Sequence, residues 1–523
     1  MVSLTNLTDT LGLSEMKGSG TWSPQNVVIG AQCPAREERR QDWSSNLRYF
    51  VPRMFNLGVM IPPSSTSIDK RVVTDDICFH IFYAHRTCAV SMKGKYGRQR
   101  KYATAMAKVA FWAIIVFLVS LFIGYCRDSH VPEEIPETWK VRMIDAAMRL
   151  YKHLVTCLVN VGLTDHFSPL DRKLADWFIL TQMTGHPWGM SLTADQTLKI
   201  KDTVIAGVQT VVYEPVANFL SQDRPVLVFL HGGGWSTLSV DSYDPLVRKI
   251  ARESGVVIIS VNYRLSPQYP YPVPLQDSLN VVNYVVNNPD EFRVDPQRIA
   301  VGGDSSGGNM AASIALRLKH KLAMQILVVP ALQFFNFQTT STAENSMYFH
   351  DSVNSPTSVL LVTNYLGIPP EHSRQLLENN HTSRSLRLSH MAKRVDQKIW
   401  MRRDLVRNKQ LLETLNTDSN SGNEALSDLL EELITNPYVV PLMADDKMLR
   451  ATPEAYIVTC GYDVIRDDGV MFAQRLNYVG TKVTHKHYKS GFHHAWFFPH
   501  GPLKVQVGAD IVNDLIKFLS HRL

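Results

Sequence analysis

The sequence predicts an α/β protein whose mostly parallel central sheet is flanked by helices and covered by a helical cap, preceded by one transmembrane helix. Two observations predict this architecture. From about residue 206 onward, apolar runs rich in β-branched residues alternate with helical patterns, which is typical of βαβ units and a parallel sheet. Upstream of them, an uncharged apolar stretch is long enough to cross a membrane.

The uncharged stretch runs from Val109 to Cys126 (VAFWAIIVFLVSLFIGYC) and would span ~27 Å as a helix, against a hydrocarbon core of ~30 Å. A buried core helix would carry a polar stripe, and this stretch offers only Ser120. A secretory signal would begin at the N-terminus and end in a small-residue cleavage site. The downstream flank is acidic, and the basic residues upstream are Lys93, Lys95, Arg98, Arg100, Lys101 and Lys108. Because positive flanks stay in the cytosol, we expect a single-pass type II signal anchor over residues 108–126.

Four segments are expected along the chain. Residues 1–107 lack sustained periodicity and are interpreted as a poorly ordered cytosolic tail. Beyond the anchor, residues 127–205 are expected to form an anchor-proximal helical cap region, with an amphipathic helix over about 140–163. Residues 206–523 form the main α/β domain. Within it, residues 335–435 or so break the strand–helix rhythm and are expected to be a cap insertion over the sheet.

Seven strands are predicted in the main domain from apolar runs bounded by turn residues. The run PVLVFLH is almost continuously apolar, as expected of a strand covered on both faces. The predicted strands are Val208–Pro215, Pro225–His231, Val256–Asn262, Ile299–Gly303, Ala323–Pro330, Glu454–Cys460 and Val483–Tyr488.

A G-x-S-x-G motif, Gly303-Asp304-Ser305-Ser306-Gly307, follows one of these strands and precedes a helical pattern. Glycines on both sides of the serine allow a tight strand-to-helix turn that exposes the Oγ of Ser305, as a nucleophile requires. The start of the helix also directs free N–H groups at a developing oxyanion. A phosphate-binding loop is the competing interpretation of these glycines, but the lysine of such loops is absent.

A second glycine cluster, HGGGW at residues 231–235, follows the strand PVLVFLH. Successive glycines let backbone N–H groups turn toward one point, as an oxyanion hole needs. A flexible turn would explain the glycines but not their place after a strand about seventy residues before G-x-S-x-G, which is where hydrolases carry this loop. We therefore predict an oxyanion hole formed by His231, Gly232 and Gly233 with the N–H of Ser306.

The general base and its orienting acid should follow the nucleophile in the order Ser, Asp, His. Asp463 follows the strand EAYIVTC, and His493 follows VTHKHY. A buried carboxylate fixes the imidazole tautomer and stabilises the imidazolium. Asp467 and Asp468 lie close to Asp463 in sequence, and a lone Asp or His would usually be a solvated loop residue. Order and strand position favour the triad Ser305, Asp463 and His493.

Metals, cofactors and nucleic acid are not expected as partners. The cluster His485, His487, His493, His494 and His500 lacks the HExxH spacing of metalloproteases. Six cysteines form no CxxC pair, which argues against a zinc knuckle or a dense disulfide framework. The net charge of +6 is small for 523 residues, and the basic residues are locally concentrated rather than spread over a face.

With these motifs the chain resembles the hormone-sensitive-lipase-type α/β hydrolases, and within them the arylacetamide deacetylase group. The resemblance covers about Phe111 to Leu523, and ENNHTS (378–383) is similar to the neutral cholesterol ester hydrolase branch. The motifs that carry it are HGGGW, NYRLSPQYPYPVPLQD, VDPQRIAVGGDSSGGN, PLMADD, YDVIRDDG and GFHHA.

The resemblance implies an α/β-hydrolase fold, endoplasmic reticulum residence with a lumenal catalytic domain, and lipophilic ester or amide substrates that partition into membrane lipid. It places the nucleophile on Ser305, the acid on Asp463 and the base on His493. Three departures stand out. Ser236 replaces a cysteine after HGGGW, so Cys460 is expected to lack a disulfide partner. GFHHA replaces GFHGA, and residues 1–105 have no counterpart in the group.

Two other functions stay open at this point. A catalytically inactive adhesion or binding module could use the same fold, although such proteins typically lose the serine or histidine. A serine peptidase is the second, although HGGG loops are more typical of esterases and lipases. The sequon Asn380-His381-Thr382 predicts glycosylation of Asn380 in the lumen, whereas Asn6 would lie on the cytosolic side.

Overall fold

The computed structural model describes residues 97–185, 195–218, 224–349, 355–414 and 422–523. The chain divides into two units, Met1–Lys101 and Tyr102–Leu523. Most of the first unit, and with it nearly all of the predicted tail and Asn6, lies outside the described residues. The architecture below is that of the second unit.

Among the described residues, three helices precede the sheet: Gly97–Arg127 (α1), Thr138–Asn160 (α2) and Pro169–Thr184 (α3). In α1 the window Lys108–Arg127 has a mean hydropathy of 2.5 and none of it is buried inside the protein. By length and composition this helix is a candidate membrane span, where the sequence predicts one. The predicted amphipathic helix over about 140–163 corresponds to α2. Helix α3 begins at Pro169 because the Ser168 side chain caps it by accepting from the Asp171 N–H.

The central sheet has eight strands in the order β1-β2-β4-β3-β5-β6-β7-β8. β1 pairs antiparallel with β2, and β2 with β4, while the other neighbours are parallel. The mostly parallel sheet is therefore confirmed, and each predicted strand overlaps an observed one. The strands are Leu198–Ile205 (β1), Val208–Pro215 (β2), Arg224–Leu230 (β3), Val257–Val261 (β4), Val294–Asp304 (β5), Met324–Val328 (β6), Glu454–Tyr462 (β7) and Val483–Phe492 (β8).

Strand β1 corrects the sequence-based interpretation, which assigned residues 127–205 to a helical cap region. The segment LKIKDTVI is a half-exposed edge strand that pairs only with β2 through a two-residue turn. Its charged residues face solvent at an edge, so no apolar run marks it.

Helices cover both faces of the sheet. On one face Val226, Val228 and Leu230 of β3 pack into a large apolar cluster, and on the other Leu227 and Phe229 pack into a second cluster. Because alternate residues of β3 pack on opposite faces and both faces are buried, the sequence of this strand is almost continuously apolar. The flanking helices are Val240–Ser254 (α4), Val273–Asn287 (α5), Pro289–Phe292 (α6), Ser306–Leu318 (α7), Arg466–Tyr478 (α16) and Gln506–Arg522 (α17).

Between β6 and β7, where an insertion is predicted, the described residues form eight α-helices. Residues of this segment, which we call the cap, line the same cavity as Ser305 at the carboxyl end of β5, the edge where α/β proteins bind ligands. The helices are Thr340–Asn345 (α8), Ser355–Leu366 (α9), Ser373–Leu377 (α10), Arg384–Leu388 (α11), Gln397–Trp400 (α12), Lys409–Thr414 (α13), Glu424–Thr435 (α14) and Asp446–Arg450 (α15).

Candidate active site

Ser305 lies in the turn between β5 and α7, with φ 52° and ψ −117°. The turn is that tight because both neighbouring glycines lie against the backbone of β3. A Cβ on Gly303 or on Gly307 would overlap the carbonyl oxygen of Leu230. The glycines of G-x-S-x-G thus let the turn pack on the sheet while it holds Ser305 in a conformation that L residues rarely adopt.

His493 and Asp463 meet Ser305 from the ends of two neighbouring strands. Asp463 follows β7 directly, and His493 follows β8 directly. The Nε2 of His493 lies 3.0 Å from the Oγ of Ser305, and its Nδ1 lies 2.9 Å from Oδ2 of Asp463. Asp463 is 1% exposed and His493 is 8% exposed. The three predicted residues are therefore brought together in the arrangement of a nucleophile, a base and an orienting acid.

The electrostatics of the site favour the charged form of His493. Burial lowers its pKa, but the negative charge of Asp463, the hydrogen bond that this carboxylate accepts from His493 and the charge of Asp304 outweigh burial and raise the pKa above its usual value of 6.5. An imidazole with a raised pKa is a stronger base toward a serine hydroxyl.

The two neighbouring carboxylates make other contacts. Asp467 accepts hydrogen bonds from Thr340 and Ser341 and pairs with Arg466 at 2.8 Å. Asp468 accepts from the backbone N–H of Leu332 at 2.9 Å, and burial raises its pKa to about 7. Both therefore anchor the chain that follows β6, while Asp463 contacts the imidazole.

The glycine loop corrects part of the predicted oxyanion hole. The N–H of Gly232 donates to Tyr243 Oη at 2.8 Å and to Asp304 Oδ1 at 2.9 Å, so it is occupied inside the protein. His231 stacks on Tyr263, with ring centroids 4.3 Å apart, and does not line the cavity described below. The prediction that His231 and Gly232 donate to the oxyanion is therefore wrong.

Gly233 and Gly234 line the cavity instead, next to Ser305. Their φ angles of 108° and 59° turn this backbone into the left-handed region that glycine tolerates. Among the described residues, no hydrogen bond of the protein uses the N–H of either glycine. Together with the N–H of Ser306 at the start of α7, they are the candidate oxyanion donors. Gly234 was missed because three successive glycines look alike in sequence.

Asp304 is a second residue that the sequence did not single out, although it lies inside the motif. Its carboxylate accepts from Tyr243 Oη at 2.8 Å and from the N–H of Gly232, and so joins the nucleophile turn to the glycine loop. It is buried, and burial raises its pKa to about 7. Only its position before Ser305 could have indicated this role.

Ser305 and His493 line a cavity of about 830 Å³. Its walls come from α2 and α3, from the glycine loop and from the cap between β6 and β7. The side chains that line it are largely apolar or aromatic, including Val155, Phe178, Phe334, Phe337, Leu361 and Phe497. A volume of this size fits a small molecule with a flexible apolar part.

The remaining histidines do not gather at one point. His485 and His487 both bond to Thr459 Oγ1, at 2.8 Å and 3.0 Å. His494 lies edge-on to His493, with ring centroids 5.1 Å apart, and lines the cavity. Burial, together with the charge of His493, lowers the pKa of His494 to about 3, so it is neutral beside the base. The extra histidine of GFHHA thus borders the site.

Ser236, where the resemblance implies a cysteine, makes a polar contact. Its Oγ lies 2.9 Å from the Oγ of Ser266, while Cys460 is buried with a free thiol.

Fold and site together define a serine hydrolase. Residues 227–393 and 391–497 match the Abhydrolase_3 family, described as an alpha/beta hydrolase fold. Because the match covers more than half of the chain, and because the relatives below align over most of their length, the chain belongs to this family of α/β hydrolases.

Named relatives align over most of the chain. It is 32% identical over 413 residues to arylacetamide deacetylase of Bos taurus, which covers 77% of this chain and 97% of that one. It is 30% identical over 410 residues to neutral cholesterol ester hydrolase 1 of Mus musculus, with coverage of 75% and 95%. Among solved structures, an esterase from the archaeon Pyrobaculum calidifontis is 22% identical with a TM-score of 0.49, over 72% of this chain and 96% of that one.

Proposed function

We propose that this protein is a carboxylic ester hydrolase that acts on lipophilic esters through an acyl-enzyme on Ser305. The observation that carries the proposal is the hydrogen-bonded series Ser305, His493 and Asp463, of which Ser305 and His493 line a largely apolar cavity. The ester hydrolases and deacetylase named among the relatives support the same reaction class.

The mechanism follows from the contacts. The Oγ of Ser305 attacks the ester carbonyl while His493 accepts its proton, and Asp463 stabilises the imidazolium that forms. The N–H groups of Gly233, Gly234 and Ser306 donate to the oxyanion of the tetrahedral intermediate. His493 then protonates the leaving alcohol, which departs and leaves the acyl group on Ser305. A water molecule, activated by the same histidine, releases the acid and restores the serine.

The decisive test of the class is labelling with a fluorophosphonate probe, which reacts covalently with an activated serine. We expect the full-length protein to be labelled and the Ser305→Ala variant not to be. An adhesion module on this fold would not be labelled. An ester hydrolase is then separated from a serine peptidase by comparing p-nitrophenyl acyl esters with peptide amides; faster cleavage of the peptides would overturn the proposal.

The pH dependence gives a further prediction. Because His493 must be neutral to accept the serine proton, kcat/KM should fall as the pH drops through its raised pKa, with a midpoint above 6.5. Asp463→Asn removes the charge that raises this pKa, so the acid limb of its residual activity should move to lower pH. A wild-type midpoint below 6.5, or an unmoved limb in the variant, would contradict the assignment of base and acid.

We further propose that α1 is a type II anchor in the endoplasmic reticulum membrane, with the α/β domain in the lumen. The apolar, unburied window of α1 supports this, as do the basic residues before it. Asn380 supports it too, because its side chain is half-exposed in a turn before α11.

Glycosylation tests this orientation. In a eukaryotic host we expect the wild-type protein to shift in mass on treatment with an N-glycosidase, and the Asn380→Gln variant not to shift. Asn436→Gln, which changes an asparagine outside any sequon, is the matched control and should shift like the wild type. An unshifted wild-type protein, or a modification at Asn6, would overturn the orientation.

A further inference from the structure

Helices α2 and α3 and the turn between them expose a series of apolar side chains to solvent. Their exposed fractions range from 44% to 60%, well above that of core residues. Six exposed large apolar side chains on two successive helices and the turn between them are more than scattered surface residues would give. This apolar face consists of Trp139, Leu150, Leu154, Val161, Leu170 and Trp177.

The apolar face lies opposite the cavity. On α2, Met148, Tyr151 and Val155 line the cavity, and at 100° per residue Leu150 and Leu154 lie on the other side of the same helix.

The same holds for α3. Asp171, Ala175 and Phe178 line the cavity, while Leu170 and Trp177 are on the far side. The two helices thus form a wall one helix thick, about 10 Å, between the cavity and the exterior.

The middle of α2 contacts the end of the candidate membrane span. Arg149 donates from Nη2 to the carbonyl oxygen of Tyr125 at 2.7 Å and to Ser129 Oγ at 2.6 Å, and its guanidinium lies 4.2 Å from the Tyr125 ring centroid. Because Tyr125 is in the last turn of α1, a bilayer that α1 spans has its surface close to α2.

We propose that the apolar face lies in the surface of the lipid bilayer and that lipophilic esters enter the cavity from the membrane at this face. The inference rests on the proposed ester hydrolysis and on α1 as an anchor. The exposed side chains Lys152 of α2 and His166 of the turn after it border the cavity, so the cavity reaches the surface at the edge of these helices. The turn between α2 and α3 carries both Val161 of the apolar face and His166 at the opening, so a substrate dissolved in the bilayer would reach the cavity around this turn and not through the helical wall.

The composition of α2 favours a bilayer over a second copy of the chain as the occupant. The helix combines the apolar face with the exposed basic side chains Lys152 and His153. Apolar and basic residues on one helix are typical of helices that lie in a membrane surface, where the basic groups contact phosphates. A second copy would carry the same basic residues to the interface.

The first experiment uses full-length protein in phosphatidylcholine vesicles. In the variant Leu150→Ser, Leu154→Ser, Trp177→Ser we expect hydrolysis of p-nitrophenyl palmitate, which partitions into the bilayer, to fall about tenfold relative to water-soluble p-nitrophenyl acetate. The matched control Leu388→Ser, Ile399→Ser, Leu429→Ser changes three apolar residues of the cap insertion that are 64%, 53% and 63% exposed, and should keep the wild-type ratio.

An unchanged ratio in the first variant, or an equal fall of both rates, would overturn the membrane face. Wild-type protein that hydrolyses neither ester would instead refute the proposed function. A second measurement decides the membrane contact without activity, by photolabelling Ser305→Ala protein in vesicles that contain a diazirine-bearing phosphatidylcholine. We expect label in peptides of both α1 and α2–α3. Label in α1 alone, or crosslinks between two protein copies at α2–α3, would overturn the proposal.

Discussion

Ser305→Ala and His493→Ala should each lower kcat for ester hydrolysis by roughly 10⁴- to 10⁶-fold, because nucleophile and base act as one unit. The physical reason is the 3.0 Å contact between Nε2 of His493 and Oγ of Ser305, which neither variant can form. The measurement is the rate on a short p-nitrophenyl ester. Ser313→Ala, a buried serine further along α7, is the matched control and should keep kcat near wild type.

The acid gives a graded result within the same experiment. Asp463→Asn should lower kcat somewhat less, by about 10⁴-fold. The amide disturbs the imidazole tautomer and stabilises the imidazolium less, but the base stays in place. Asp467→Asn should leave kcat nearly unchanged in the folded fraction, because Asp467 contacts Thr340 and Arg466 rather than His493. The melting temperature of this variant must be measured as well, because the buried Arg466 loses the ion pair with Asp467. A lower kcat for Asp467→Asn than for Asp463→Asn would contradict the choice of acid.

Much of the site is predictable because its determinants are local. The position of the nucleophile depends only on a strand, a tight turn and a helix, and the residues Val294–Leu318 form all three. Asp463 and His493 are also read locally, since each follows an apolar strand and parallel strands end at one edge of the sheet. Position directly after the strand separates Asp463 from Asp467 and Asp468, which chain order alone does not, and the contacts of the latter two with the chain after β6 agree with this choice.

The oxyanion loop could not be assigned in this way, because its decisive contacts are long-range. Gly232 is excluded as a donor only because Tyr243 and Asp304 take its N–H, and Asp304 is 72 residues away. Strand β1 escaped for a different reason. Its polar residues are compatible with an edge strand that pairs with β2. In the sequence alone, this segment of charged and apolar residues has no apolar run that would predict a strand.

Gly233→Ala is expected to lower kcat by about 10² to 10³, the effect of losing one oxyanion donor, with a smaller change in KM. An added Cβ would overlap the backbone carbonyl of Thr237, and backbone cannot move aside as a side-chain end can. The loop must therefore shift, and the N–H of Gly233 moves away from the oxyanion. In Gly234→Ala the three atoms nearest the added Cβ all belong to the Leu361 side chain, which can move more easily than backbone, so the loss of kcat should be smaller.

Gly207→Ala is a control that separates the overlap of the Gly233→Ala methyl group with Thr237 from the backbone strain of an alanine at positive φ. Gly207 also has a positive φ, 82°, but lies in the open β1–β2 turn with nothing within 4 Å of an added Cβ. Both variants carry the strain of an alanine at positive φ, and Gly233→Ala adds the overlap with Thr237, so its melting temperature should fall further; only Gly233→Ala should lose kcat. Near wild-type kcat in a folded Gly233→Ala protein would remove Gly233 from the oxyanion hole and leave Gly234 and Ser306 as its donors.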